Sequence, residues 1–143
     1  MSCIIVFFLD FYFYQRQKNN RHVLQNLQVS YGYDQVYTVE PRGRSGGLAL
    51  FYMDDPSVTI LYADAHMIDI ETRFEGHDIF MTFVYGDPVV RHRDLVWERL
   101  SRMSTTRSKA WFMIGDFNEI TGNHEKRGGR RRLESSFLPF RTM

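Results

Sequence analysis

The chain has 143 residues, enough for one domain with a hydrophobic core and too few for two. Hydrophobic residues make up 43% and aromatic ones 15%, which excludes a disordered chain and favours strands over helices. A net charge of +1 excludes a global field that would gather nucleic acid, and the single cysteine, Cys3, excludes an internal disulfide scaffold.

In chain order, the apolar run Ile4–Leu9 is broken by Asp10 and is too short to cross a membrane. It lacks a preceding basic stretch and a small-residue cleavage site, so a buried strand fits better than a secretion signal. The "FYFY" that follows fits no element cleanly. "KNNRHVLQNLQVSYG" predicts a helix, with Asn20 as N-cap, Val23, Leu24, Leu27 and Ser30 at helical spacing, and Gly32 as the stop. "YDQVYTVE" predicts a strand ended by Pro41, and "PRGRSGG" a turn cluster. "LALFYM", "VTILYAD", "HMIDIETRF" and "DIFMTFVYG" predict four more strands, the last two joined through a turn at "EGHD". "DPVVRHRDLVWERLSRM" predicts a helix with Val96 or Trp97, Leu100 and Met103 on its apolar face. "AWFMIG" predicts a strand central in its sheet. Regular structure fades after Asp116. There is no repeat and no linker, so the pattern gives one α+β domain over residues 1–143 with a mixed sheet.

The chemistry concentrates in "WFMIGDFNEI", Trp111–Ile120. If the backbone stays extended, Asp116 and Asn118 point to one side and Phe117 turns the other way into the core. Two oxygen-bearing side chains on one face suit a hard cation such as Mg²⁺. A carboxylate there can take a proton from water while the carboxamide holds a phosphate oxygen. The same two residues also suit an Asx-type turn, and both readings stand at this point.

Taken in order, "YGYDQVYTVEPRGRSGGLALFY", "FVYGDPVVRHRDLVWERL", "WFMIGDFNEI" and "EKRGGRRR" resemble the exonuclease–endonuclease–phosphatase (DNase-I-like) superfamily. More narrowly, they resemble the endonuclease domain of plant non-long-terminal-repeat retroelements. The resemblance runs from about Lys18 to the C-terminus. It implies part of a four-layer α/β/β/α sandwich with mixed, mostly antiparallel sheets, and Mg²⁺-dependent hydrolysis of phosphodiesters. It further implies that Tyr85 contacts the scissile phosphate, that Asp116 orients or deprotonates the water, and that Asn118 supports the phosphate and metal.

The chain departs from that pattern in three places. No "N-x-R-G"-like segment precedes the first helix. Asp10 falls near the family's metal-binding glutamate but is one methylene shorter, which makes it the only metal candidate on that side. No "S-D-H"-like segment, the source of the family's histidine and its aspartate partner, occurs before Met143. The expectation is therefore a truncated, inactive phosphodiesterase-like domain derived from a retroelement, because losing members of a catalytic unit costs orders of magnitude in rate. The alternatives are a non-catalytic remnant that binds nucleic acid through residues 126–132, or an active nuclease within a longer product.

The remaining signals are local. Lys126, Arg127, Arg130, Arg131 and Arg132 surround two glycines and form either a flexible loop that grips DNA or RNA phosphates or an ordinary solvated surface loop. Arg42 and Arg44 could touch a backbone, although the glycines beside them suit a tight turn. Tyr31, Tyr33 and Tyr37 could stack on bases but more commonly pack a strand. "DAH", Asp64–His66, sits between two strands and is read as structural. Walker-type loops and zinc-ligand clusters are absent, so no small-molecule cofactor is implied, and no membrane partner either.

Overall fold

The computed structural model describes residues 5–8, 11–16, 21–41 and 47–143. Asp10, Asn20, Arg42, Arg44 and Gly46 lie outside the described residues. The chain divides into two compact units, Met1–Tyr85 with Lys109–Gly115, and Gly86–Ser108 with Asp116–Met143.

The first unit runs β1 (Ile5–Phe8), β2 (Phe11–Arg16), α1 (Arg21–Tyr31), β3 (Gln35–Val39), β4 (Gly47–Tyr52), β5 (Thr59–Ala63), β6 (Met67–Phe74) and β7 (His77–Tyr85). It takes in β8 (Trp111–Asp116) up to Gly115. One sheet has the order β1-β2-β4-β3 and is antiparallel throughout. The other has the order β5-β6-β7-β8. Its first three strands are antiparallel. Between β7 and β8, the Phe80 N–H donates to the Ala110 carbonyl and the Gly86 N–H to that of Asp116, both at 2.8 Å. The partners advance together by six residues, so this pair is parallel and the sheet is mixed.

The "FYFY" stretch resolves as a two-sided strand. Phe11 and Phe13 point between the sheets, and Tyr12 points to the opposite face. β4 alternates in the same way: Leu48 and Leu50 enter the inter-sheet core, while Ala49 and Phe51 meet Leu24 of α1. Ile68, Ile70, Ile79, Met81, Phe83 and Tyr85 supply the facing layer. The first unit is thus a helix on two packed sheets, α/β/β. Leu24 is the buried anchor of α1, whereas Val23 is exposed, one position off the expected face.

Two further expectations shift. The turn at "EGHD" tightens to Glu75 and Gly76, at φ 48° and 81°, because two residues with positive φ match the twist of a hairpin. The strand ending in Gly115 is not central: among the described residues β8 ends its sheet, with Phe112 and Met113 exposed. Its apolar composition signals burial only where both sides of a strand are covered. The tyrosines pack rather than present a platform. Tyr31 stacks on Tyr12 at 5.1 Å, Tyr33 tilts against Tyr12 and Phe51, and Tyr37 lies against the inter-sheet core.

The second unit contains α2 (Arg93–Ser104), entered through a 3-10 turn at Val90–His92, and α3 (Leu138–Arg141). Short 3-10 turns lie at Asn123–Glu125 and Glu134–Phe137. Val96, Trp97 and Leu100 are buried, as the helical spacing requires. Trp97, Phe117 and Phe140 form an aromatic cluster with centroids 4.9–6.1 Å apart. Among the described residues no helix is long and apolar enough to cross a membrane.

Phe83 is fully buried and touches both Phe11 at 5.7 Å and Phe13 at 5.6 Å, so it links the two sheets. Phe83→Ala should lower unfolding free energy by about 3–5 kcal/mol, read from the urea midpoint. A loss under about 1 kcal/mol would mean that the sheets do not pack through this residue.

Candidate functional site

The segment after β8 is shaped by the backbone before any side chain acts. Gly115 has φ +144°, and a Cβ there would lie 2.0 Å from the Val84 carbonyl oxygen. Only glycine permits that approach. Asn118 then adopts φ +51°, a left-handed conformation that asparagine tolerates better than most residues. The extended-backbone argument for Asp116 and Asn118 therefore fails, because the chain turns between them. Phe117 does enter the aromatic cluster of its unit as expected.

What brings the two polar residues together is the Asx turn. The Asn118 N–H donates to Asp116 Oδ1 at 2.7 Å. The Asn118 side-chain Nδ2 donates to the Gly86 carbonyl at 2.7 Å. The Gly86 N–H in turn donates to the Asp116 carbonyl. Gly86 has no room for a side chain, since a Cβ would fall 1.8 Å from the Phe117 carbonyl oxygen. These bonds leave one oxygen of each residue, Asp116 Oδ2 and Asn118 Oδ1, without a partner among the described residues.

The next residue, Glu119, holds the turn in place. Its side chain is 5% exposed and accepts from Arg132 Nη1 at 2.5 Å, Arg132 Nη2 at 3.2 Å and Arg93 Nη1 at 3.1 Å. The Ile120 N–H adds a fourth bond at 2.9 Å. Burial pushes this carboxyl up, but the bonds from Arg132, the Ile120 N–H and Arg93 outweigh it and hold the group below its usual 4.5. Arg93 also donates to the carbonyls of Asp87 and Pro88, so it fixes the chain just after Gly86. Neither Glu119 nor Arg93 stood out in the sequence, because the partners of Glu119 lie 26 and 13 residues away.

The other expected residues fall as follows. Tyr85 ends β7 in the first unit. It is 8% exposed, its ring belongs to the inter-sheet core, its N–H donates to the His66 carbonyl, and its carbonyl meets His66 Nδ1 at 3.2 Å. Asp64 caps its turn by accepting from the His66 and Met67 N–H groups, which is the structural role expected of "DAH". The five cations of the basic loop separate into two kinds. Arg132 is bound to Glu119 and lies over the Phe137 ring at 4.5 Å, and Lys126 donates to the Arg130 carbonyl. The guanidiniums of Arg127, Arg130 and Arg131 are exposed and carry no partner among the described residues.

No group of three His, Cys, Asp or Glu side chains gathers to hold a metal among the described residues. Asp116 and Asn118 are nevertheless oxygen donors of the kind Mg²⁺ takes, and Mg²⁺ is commonly held by one or two carboxylates plus substrate phosphate.

The Glu119 cluster generates a pH prediction. Because its folded pKa lies below the unfolded value, the stability it confers is complete above about pH 4.5 and is lost as pH falls through the folded value. Glu119→Ala should remove that acid-side loss and cost roughly 3 kcal/mol at neutral pH, since two arginines lose their carboxylate. Melting curves of both proteins across the acid range check this. Parallel pH profiles would mean that Glu119 is not the titrating group.

No family model matches the sequence, and no curated protein matches it. Among solved structures, the chain is similar to truncated TDP2 from Caenorhabditis elegans, with a TM-score of 0.53 at 13% identity, covering 86% of this chain and 53% of that one. It is similar also to the selenomethionine form of TDP2 from the same organism, with a TM-score of 0.54 at 13% identity, covering 86% of this chain and 40% of that one. The chain thus spans about half the length of these structures or less. At this identity the likeness is one of fold. With a helix, an antiparallel sheet and a mixed sheet, the protein has an α+β fold of the DNase-I-like type.

Proposed function

We propose that the chain is a phosphodiesterase-type module that acts on nucleic-acid backbones and that hydrolyses them slowly on its own. The observation that carries this reading is the Gly86–Asp116–Asn118 turn. It fixes one atom of each polar side chain and leaves Asp116 Oδ2 and Asn118 Oδ1 available at the end of a strand. Asp116 Oδ2 accepts a proton from the attacking water or orients it. Asn118 supports the phosphate through the second N–H of Nδ2, the first being held by the Gly86 carbonyl, and its Oδ1 is left for a cation. For Tyr85, in the first unit, phosphate contact is carried by the resemblance to DNase-I-like enzymes alone. The DNase-I-like fold supports this assignment, and the order of motifs that resembles retroelement endonucleases suggests the lineage.

If Mg²⁺ binds, Asp116 and Asn118 are the residues to hold it, and it would offset phosphate charge there. Slow turnover follows from the donor set among the described residues: one carboxylate and one carboxamide leave a hydrated cation loosely placed. A positioned acid or base contributes about 10²–10⁴-fold, and a single such group gives little beyond that.

The test is nicking of supercoiled plasmid in Mg²⁺, using two variants that preserve the turn. Asp116→Asn keeps an oxygen to accept the Asn118 N–H while removing the base. Asn118→Gly keeps the left-handed backbone while removing the side chain. Slow nicking by the unmodified protein should fall roughly 10²-fold or more in Asp116→Asn. Equal nicking by all three proteins would remove the catalytic assignment, and fast nicking abolished by Asp116→Asn would overturn the weak-activity part alone.

A further inference from the structure

The loop between Asn123 and Arg132 is built rather than slack. At its base, Asn123 grips both backbone groups of Arg132: Oδ1 accepts from the Arg132 N–H at 3.0 Å, and Nδ2 donates to the Arg132 carbonyl at 2.9 Å. Higher up, Lys126 Nζ donates to the Arg130 carbonyl and ties the two sides together. At the tip the chain bends through Gly128 and Gly129, at φ 75° and 71°, with open space where a Cβ would stand. Below the base, Glu119 and Ser136 hold the Arg132 guanidinium. Two of the five cations are therefore occupied in shaping the loop, and three guanidiniums remain at its tip.

We propose that Arg127, Arg130 and Arg131 form a preformed clamp for the phosphates of a nucleic-acid backbone, and that Lys126 and Arg132 hold the clamp in shape without touching phosphate. This rests on the reading of the module as one that acts on nucleic acid. Guanidiniums pair with phosphate oxygens through two parallel N–H donors, which favours phosphate over other anions. The tip from Arg127 to Arg131 contains arginine and glycine only, with no aromatic ring to stack on a base and no apolar side chain to enter a lipid surface. Recognition is therefore by charge and indifferent to base sequence. Because internal bonds already order the loop, little conformational freedom is lost on binding.

The experiment is fluorescence anisotropy with labelled oligonucleotides, single-stranded and duplex, of two unrelated sequences. Three phosphate contacts give a log K against log salt slope of about −2 to −3, a fall of roughly 15- to 40-fold between 50 and 200 mM salt. Arg127→Ala/Arg130→Ala/Arg131→Ala should abolish that slope while leaving the melting temperature unchanged, since none of these side chains has a partner to lose. Lys126→Gln should weaken binding at every salt concentration without changing the slope, because it loosens the loop but removes no phosphate contact. A triple variant that keeps the full slope, or a Lys126→Gln variant that loses a phosphate's worth of it, overturns the clamp while the nucleic-acid reading stands. Absence of binding by the unmodified chain at low salt removes the nucleic-acid reading itself. Tighter binding to phosphatidylserine vesicles than to either oligonucleotide also overturns the proposal, in favour of a membrane surface.

Discussion

In the second unit the Asx turn and the basic loop are both tied to one buried carboxylate, Glu119. Isolated, it would be costly to bury; with the fork of Arg132, one arm of Arg93 and the Ile120 N–H it is fully engaged. Each partner extends the constraint. Arg93 passes it to the carbonyls at Asp87 and Pro88, beside the Gly86 groups that the Asx turn uses. Arg132 passes it to the base of the basic loop through its own backbone, which Asn123 grips. The turn that presents Asp116 and the loop that presents the free arginines are thereby fixed by the same charge.

The first unit is held by a different force, apolar burial on both sides of β2 and β4. Successive residues serve opposite faces, so one strand feeds the inter-sheet core and the surface under α1 at once. Aromatic rings meet on both faces, with Phe83 between Phe11 and Phe13, and Tyr12 meeting Tyr31, Tyr33 and Phe51. The second sheet carries a polar line on its other face: Trp111 Nε1 donates to Thr82 Oγ1, which donates to the buried Asp69. Buried polar atoms that find partners in this way specify one register, because a slip by one residue would leave them without hydrogen bonds.

Much of this architecture was legible in the sequence, since strands with period 2 and turns rich in Gly, Asp and Pro advertise themselves locally. β3, β4, β6 and β7 match their expected spans closely. "FYFY" was opaque because a strand buried on both faces shows no alternation of polarity. Residue type and spacing single out Asp116 and Asn118 but not their geometry, because the left-handed turn at Asn118 is held by the Gly86 carbonyl, far away in sequence. The partition of the basic loop was invisible for the same reason: nothing within "EKRGGRRR" separates Arg132 from Arg131, and only Glu119 does so.

The parallel pairing of β7 with β8 bears on the order in which the chain acquires its structure. β6 and β7 are joined by a two-residue turn, so their pairing closes a short loop and can form within microseconds. β8 reaches its neighbour only after the whole segment containing α2 has been laid down, and that larger closure raises the entropic barrier. During synthesis on the ribosome, "WFMIG" therefore emerges before its place on β7 is secured. In that interval its apolar side chains are exposed surface on which nascent chains can associate.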